Sequence, residues 1–255
     1  MHSPLRLPGN PPEWLVWDEP SSCPYLPAQT ARLPLRLPLR RLRPEELAQR
    51  LAAGDRRQGL LLYRPRCPAC SACEAIRIAV EEFQPSATQR RVFRRGEARL
   101  RTEIGPPVVS AEKAALYNRH KVERGLLIGD GLIDEEGYEQ FLVESCADTI
   151  ELRYHCDNAL VGVAVADRAA DALSAVYCFY DPGRAALSLG TYSILKQIAL
   201  CRSWKLRYLY LGLYVGDCRA MRYKAGYLPH ERLIGGVWRR FGRPARSAAP
   251  GSASA

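Results

Sequence analysis

The chain has 255 residues, 47% of them hydrophobic and 25% charged, with 19 Gly and 19 Pro. That composition excludes disorder, collagen and coiled coil as descriptions of the whole, and the length suffices for one large domain or two smaller ones. No apolar run is long enough to cross a bilayer, and the formal net charge of +10 favours a polyanionic partner.

From the N-terminus, MHSPLRLPGN carries Pro and Arg where a secretory signal would have a basic patch and an apolar core, which predicts a cytoplasmic location. The first forty-odd residues are Pro-rich and non-periodic. PEELAQRLAAGD (44–55) then has Pro at the start and Gly at the end of a short helix. QGLLLYR (58–64) predicts a strand leading into CPACSAC, and EAIRIAV (74–80) a strand leaving it. Ser86 with Gln89 forms a capping box that opens a basic helix, SATQRRVFRR. Ser110 opens a second helix and Asp134 a third. TIELRYH, ALVGVAVAD and ALSAVYCFY predict an antiparallel meander. The loop DPGRAALSLG, a helix starting near Thr191 and a buried strand, RYLYLGL, follow. The order is β-β-β-α-β, and the small, polar tail after residue 242 predicts disorder.

Charge is polarised along this order. Residues 86–101 hold six arginines against Glu97 alone, and residues 202–243 hold ten basic residues against Asp217 and Glu231. Residues 110–181 hold fourteen acids against six bases. Two basic segments around an acidic middle suit a surface that tracks a phosphate backbone, with Tyr223 and Tyr227 placed for stacking. A solvated face of an Arg-rich protein would give the same pattern.

Nine cysteines is an odd number for a disulfide framework. Cys67, Cys70 and Cys73 are spaced so that three thiolates can converge from one turn. Cys23, in a Pro-flanked segment, offers a fourth ligand for a zinc ion or an iron-sulfur cluster; a set of reduced cysteines in a loop is the alternative. The loop before the 191 helix presents free backbone N–H groups and a positive dipole end, which suits a phosphate or a developing oxyanion. No Ser-His-Asp order, Walker loop or H-E-x-x-H motif is present, and the four His (2, 120, 155, 230) form no ligand pattern.

CPYLPAQTARLPLR (23–36), YRPRCPACSACEAIRIAVEEFQPSATQRR (63–91), SAVYCFYDPGRAALSLGTYSILKQI (174–198) and YLYLGLYVGDCRAMRYKAGYLP (208–229) resemble four blocks of the aminoacyl-tRNA protein transferases, specifically the bacterial aspartate/glutamate leucyltransferases. The resemblance implies an enzyme that moves an aminoacyl group, leucine, from leucyl-tRNA to the N-terminal α-amine of proteins beginning with Asp or Glu, marking them for N-degron degradation. It implies an α+β fold: a GNAT-like mixed sheet with helices over 106–242, preceded by a smaller Cys-containing α+β region over 1–105 and followed by a tail over 243–255. With it, the loop Ser188, Leu189, Gly190 and Thr191 and Tyr180 are expected at the aminoacyl end, while Lys224 and Tyr223, with Arg222 beside them, would contact the terminal adenosine or the oxyanion. Tyr180, Gly190, Thr191, Tyr223 and Lys224 are the candidate catalytic residues. Arg90 and Arg91 would meet the tRNA or the acceptor's carboxylate, and the transfer itself would need no cofactor. Arginine stays open as the donated residue. A non-catalytic RNA-binding protein with a metal-stabilised module would also satisfy the basic stretches and the cysteines. An acyl-CoA acetyltransferase would satisfy the strand order, but the Q/R-x-x-G-x-G/A pyrophosphate loop is missing at this junction.

Overall fold

The structure is a computed structural model that describes residues 5–127 and 131–243. The expected tail lies outside these residues except for Arg243. The elements in chain order are β1 (Leu5–Leu7), β2 (Glu13–Trp17), β3 (Pro20–Ser22), β4 (Thr30–Arg32), β5 (Leu35–Pro38), α1 (Pro44–Ala52), β6 (Arg56–Gln58), β7 (Leu61–Tyr63) and β8 (Glu74–Ala79). There follow α2 (Ala87–Arg99), β9 (Arg101–Gly105), α3 (Ala111–Glu123) and α4 (Glu135–Tyr138), which runs on into a π-helical turn over Glu139–Val143. The rest comprises β10 (Thr149–Cys156), β11 (Ala159–Arg168), β12 (Ala172–Tyr180), α5 (Leu189–Ser203), β13 (Tyr208–Tyr214), β14 (His230–Ile234) and β15 (Val237–Phe241). No helix among the described residues is long and apolar enough to cross a membrane.

Local chemistry explains most of these boundaries. The Ser86 side chain accepts from the Gln89 N–H at 3.1 Å while the Gln89 side chain accepts from the Ser86 N–H at 2.7 Å, closing the capping box of α2. Ser110 and Asp134 cap α3 and α4 in the same way, each accepting a backbone N–H three residues on. The Pro-rich start is more ordered than its lack of periodicity predicts: five short strands order it, four of them no longer than four residues. QGLLLYR is not one strand. Gly59, at φ +55°, turns the chain between β6 and β7, so the segment is half of a hairpin. The β14–β15 hairpin turns through Gly235 and Gly236, both at positive φ, a two-glycine signal between apolar runs.

β1, β2, β5, β7 and β6 form one five-stranded sheet and β3 with β4 a small ribbon. The main sheet has eight strands in the order β15-β14-β8-β13-β12-β11-β10-β9. The β-β-β-α-β order is present in it: β10, β11 and β12 are antiparallel, and β13 returns parallel to β12 after α5. The expected boundary between residues 105 and 106 falls inside this sheet, because β8 is inserted between β13 and β14 and β9 pairs with β10. The reason is register: Ile76 and Ile78 on β8 are fully buried in the same cluster as Leu173, Leu209 and Leu211, so their apolar face has only this sheet on which to be covered.

α2 and α5 cover one face of the sheet through Val92, Tyr192, Leu195 and Ile198, while α3 and α4 cover the other through Leu116, Tyr117, Tyr138, Val163 and Phe179. A third cluster joins α1 and β7 to the sheet through Leu47, Leu51, Leu62, Tyr208 and Tyr210. It is reinforced by a buried pair: Arg57 Nε donates to Asp167 Oδ2 at 2.7 Å, and the Thr149 hydroxyl donates to the other carboxylate oxygen at 2.7 Å. Such a pair resists loss of either partner, since the survivor would be left as an uncompensated buried charge.

α2 lies on α5 closely enough that a Cβ at Gly96 would overlap the Tyr192 ring. That ring is held by bonds from its hydroxyl to Glu97 (2.7 Å) and Thr102 (3.2 Å). The gain in helix propensity from Gly96→Ala, under about 1 kcal/mol, is therefore outweighed by overpacking. The substitution is expected to destabilise the fold by about 1–3 kcal/mol in urea unfolding.

Candidate active site

β12 and β13 pair in parallel only from Ala172–Ser174 with Tyr208–Tyr210. Beyond those residues the two strands part, and the groups singled out in the sequence gather where they do. DPGRAALSLG folds as a tight turn: the Asp181 carboxylate accepts from the Gly183 N–H at 2.9 Å, a 3-10 helix covers Pro182–Leu187, and Ser188 adopts a left-handed backbone (φ 51°, ψ 47°). A non-glycine residue held there stores about 1–3 kcal/mol. α5 begins at once, at Leu189 rather than near Thr191. The Tyr192 N–H donates to the Ser188 carbonyl at 2.9 Å, and the Ser188 side chain makes no capping bond. The N–H groups of Leu189, Gly190 and Thr191 precede the first N–H that bonds within the helix, so the helix itself supplies them no acceptor.

Tyr180, at the end of β12, packs its ring on this helix start: a Cβ at Gly190 would stand 3.3 Å from Tyr180 Cε1. His120 of α3 and Arg124, which caps that helix at its C-terminus, hold the tyrosine. Arg124 donates to its hydroxyl at 2.9 Å, and His120 lies edge-on to its ring at 4.5 Å. His120 Nδ1 sits against the Tyr180 backbone, 3.0 Å from the carbonyl oxygen and 3.2 Å from the amide nitrogen. Burial, at 4% exposure, holds the His120 pKa below its ordinary value. In the sequence His120 forms no ligand pattern with the other histidines, and Arg124 belongs to no motif. Their four-residue spacing, which puts both on one face of α3, was the available signal.

Lys224 closes the other side. It lies in the 3-10 turn Arg222–Gly226, 7% exposed, and its Nζ donates to the Leu213 carbonyl at 2.6 Å and to Met221 Sδ at 3.2 Å. Its pKa is lowered to about 7, by burial first and then by the Arg56 charge, with Cys218 acting in the opposite sense. The same stretch of β13 is bulged. Gly212 sits at φ +78°, its carbonyl accepts from Arg56 at 2.8 Å, and a Cβ on it would lie 3.7 Å from Lys224 Nζ. Tyr223 is 55% exposed with its ring centroid 5.9 Å from Lys224 Nζ, and it stands in electrostatic reach of Tyr180 and Cys178. Thr191 is a polar neighbour of Tyr227, so the 222–227 turn and the first turn of α5 face each other.

Tyr180, Ser188, Gly190, Thr191, Tyr223 and Lys224 are thus brought together. Leu189 is 2% exposed, and its side chain packs in the core instead of joining them. Arg222 turns away, donating to the Gly216 carbonyl at 2.8 Å. Arg90 and Arg91 are exposed at the start of α2, about 9 Å along the helix from the Gly96 contact with Tyr192. α2 runs antiparallel to α5, so these two lie beside the far end of α5 and not its N-terminus.

Cys23, Cys67, Cys70 and Cys73 are half-buried free thiols. Burial pushes the Cys73 thiol up to about 12, and Cys67, Cys23, Cys70 and Cys218 all add to the rise, so five thiols share one neighbourhood. Cys218, missed in the sequence, also neighbours Lys224. Among the described residues no three His, Cys, Asp or Glu side chains stand at coordination distance. As soft donors gathered from three loops, the thiols fit zinc or an iron-sulfur cluster in kind.

The sequence model for "Arginine-tRNA-protein transferase, N terminus" matches residues 21–91, and that for "Arginine-tRNA-protein transferase, C terminus" matches 112–234. The chain is 39% identical over 221 residues to the "Aspartate/glutamate leucyltransferase" of Chromobacterium violaceum, covering 86% of this chain and 90% of that one. It is 38% identical to the protein of the same name in Thiobacillus denitrificans, covering 85% and 90%. Among solved structures, L-PGS from Bacillus licheniformis superposes with a TM-score of 0.45 at 13% identity, covering 66% of this chain and 58% of that one.

The lowered pKa of Lys224 has a consequence for stability. The unfolded chain, with a lysine pKa near 10.5, binds more protons than the folded one between about pH 7 and 10.5, so this group's contribution to stability rises with pH across that window. In urea unfolding of the wild type and Lys224→Met, the stability difference is expected to shift toward the wild type as the pH is raised from about 7 to about 10.

Proposed function

The chain belongs to the arginine-tRNA-protein transferase family, and from that membership we propose that it transfers leucine from leucyl-tRNA to the N-terminal α-amine of proteins beginning with Asp or Glu. The observation that carries the reading is the pairing of an open helix N-terminus with a buried lysine of lowered pKa across the gap between β12 and β13. Similarity to relatives named as leucyltransferases supports leucine as the donated residue.

The aminoacyl ester is already activated, so the site has three tasks. The first is to hold the ester carbonyl oxygen at the N–H groups of Leu189, Gly190 and Thr191, where the helix dipole favours the charge that develops on it. The second is to present the amine, whose ordinary pKa of about 7.7–8.0 leaves a useful neutral fraction. The third is to take the proton released as the amine adds. Neutral Lys224 has two N–H groups for its Leu213 and Met221 contacts and one lone pair free to accept a proton. The new amide C–N bond forms, the ester C–O bond breaks, and the ribose oxygen leaves protonated, which returns Lys224 to its neutral form. Tyr223 is exposed over the lysine for stacking with the terminal adenosine. Arg124, at the Tyr180 hydroxyl, is the cation suited to the acceptor's carboxylate, in place of Arg90 and Arg91.

Cys23, Cys67, Cys70 and Cys73 would hold the zinc ion or iron-sulfur cluster, which would tie the N-terminal segment to the 67–73 loop. No step of the transfer passes through it.

The test is transfer of radiolabelled leucine or arginine from the charged tRNA to reporter peptides starting with Asp, Glu or Ala. Leucine on Asp and Glu but not Ala is expected. Arginine instead would replace the donor, and no transfer from either would remove the reading. Lys224→Arg, which stays charged, is expected to lose at least about tenfold in rate together with the rise through pH 7.

For the thiols, metal analysis of the purified protein is expected to find zinc or iron that Cys73→Ser loses along with several degrees of thermal stability. A wild type free of bound metal under anaerobic purification withdraws that assignment.

A further inference from the structure

The two basic segments, a hundred residues apart in sequence, meet around one groove. Arg202 on α5 donates to the carbonyls of Val80 (2.8 Å) and Phe83 (2.9 Å), and Arg243 donates to that of Gln84 (2.9 Å), so the second segment closes onto the turn that leads into α2. Between α2 and α5 this leaves an apolar groove of about 290 Å³. Its floor is Phe83 and Ile198, both buried, and its wall is the half-buried Phe93, stacked on Tyr192 with centroids 6.1 Å apart. Arg90, Arg94 and Arg202 rim it, and no carboxylate lines it. Arg94 makes no ion pair among the described residues, and the bond Arg90 makes there is to the Pro85 carbonyl. An aromatic wall under a rim of guanidinium groups, none of them paired with a carboxylate among the described residues, is the arrangement that takes a base on its face and a phosphate at its edge.

Position supplies the second argument. The groove follows α5 from Leu195 onward, which begins about 8 Å along the helix axis from Gly190. A strand whose terminal ester lies at the start of α5 therefore reaches the groove with the nucleotides just before its end.

Resting on the tRNA-dependent reading above, we propose that the groove between α2 and α5 binds an unpaired nucleotide of the 3′ strand of the aminoacyl-tRNA, its base against Phe93 and its phosphates on Arg90 and Arg94. This gives the arginine-rich helix a role at the donor strand, away from the acceptor carboxylate.

The experiment compares two donors, leucyl-tRNA and leucyl-adenosine, the second of which carries the ester but no nucleotide that reaches the groove. Phe93→Leu, which keeps an apolar side chain on Tyr192, and Arg94→Ala, a surface change, are assayed with both. Each is expected to raise the KM for leucyl-tRNA about tenfold relative to that for leucyl-adenosine, as loss of a base-stacking or phosphate contact does. Arg94→Ala is also expected to reduce the salt dependence of tRNA binding by about one phosphate contact. The proposal is overturned if the two KM values move together, if neither moves, or if the KM of the acceptor peptide rises instead, which would make the groove a peptide site. A wild type that uses neither donor would sink the transferase reading itself, a distinguishable outcome.

Discussion

The site depends on two parallel strands that stop pairing. β12 and β13 share three paired positions and then separate, which leaves backbone groups on both strands without each other as partners. Such groups must be satisfied some other way. On the β13 side Lys224 donates to the Leu213 carbonyl and Arg56 to that of Gly212. On the β12 side the Tyr180 backbone meets His120. The side chains that repair the open edges are also those that surround the candidate reaction centre, so opening the sheet and furnishing the site are one structural event.

This repair explains the lowered pKa of Lys224. Its amine is buried to reach a carbonyl inside the sheet, and burial without an acidic partner favours the neutral form. Arg56, held at the adjacent carbonyl, adds a like charge. The bulge at Gly212 makes the approach possible, since its φ of +78° is one that a glycine adopts without strain. A lysine suited to accept a proton near neutral pH therefore follows from how β13 is built.

The N-terminal region takes part in this arrangement. β6 supplies both Arg56, at the bulge, and Arg57, which reaches Asp167 on β11, and β8 lies inside the main sheet. The cysteine-bearing loop between β7 and β8 is thereby held near Cys218 and, through it, near the turn that carries Lys224. The polarised charge of the sequence becomes a place as well: the basic segments converge on the groove between α2 and α5.

Local rules were enough for the sequence to determine the β-β-β-α-β order, the caps at Ser86, Ser110 and Asp134, and the loop before α5, because each depends on residues within a few positions of one another. The blocks around residues 188–191 and 222–224 stand out through the family resemblance, as candidates for the chemistry. Tertiary structure decided what those residues became. The resemblance offers Arg90 and Arg91 as site residues, but the antiparallel packing of α2 on α5 sets them at the far end of the helix pair. Leu189 turned into the core because α5 begins two residues earlier than its pattern suggests. His120 with Arg124, Arg56 and Cys218 come from three separate segments, and no spacing rule links one segment to another. Partnership among them arises only when the sheet forms and buries them together, since desolvation and hydrogen bonding act through space and leave no period in the sequence.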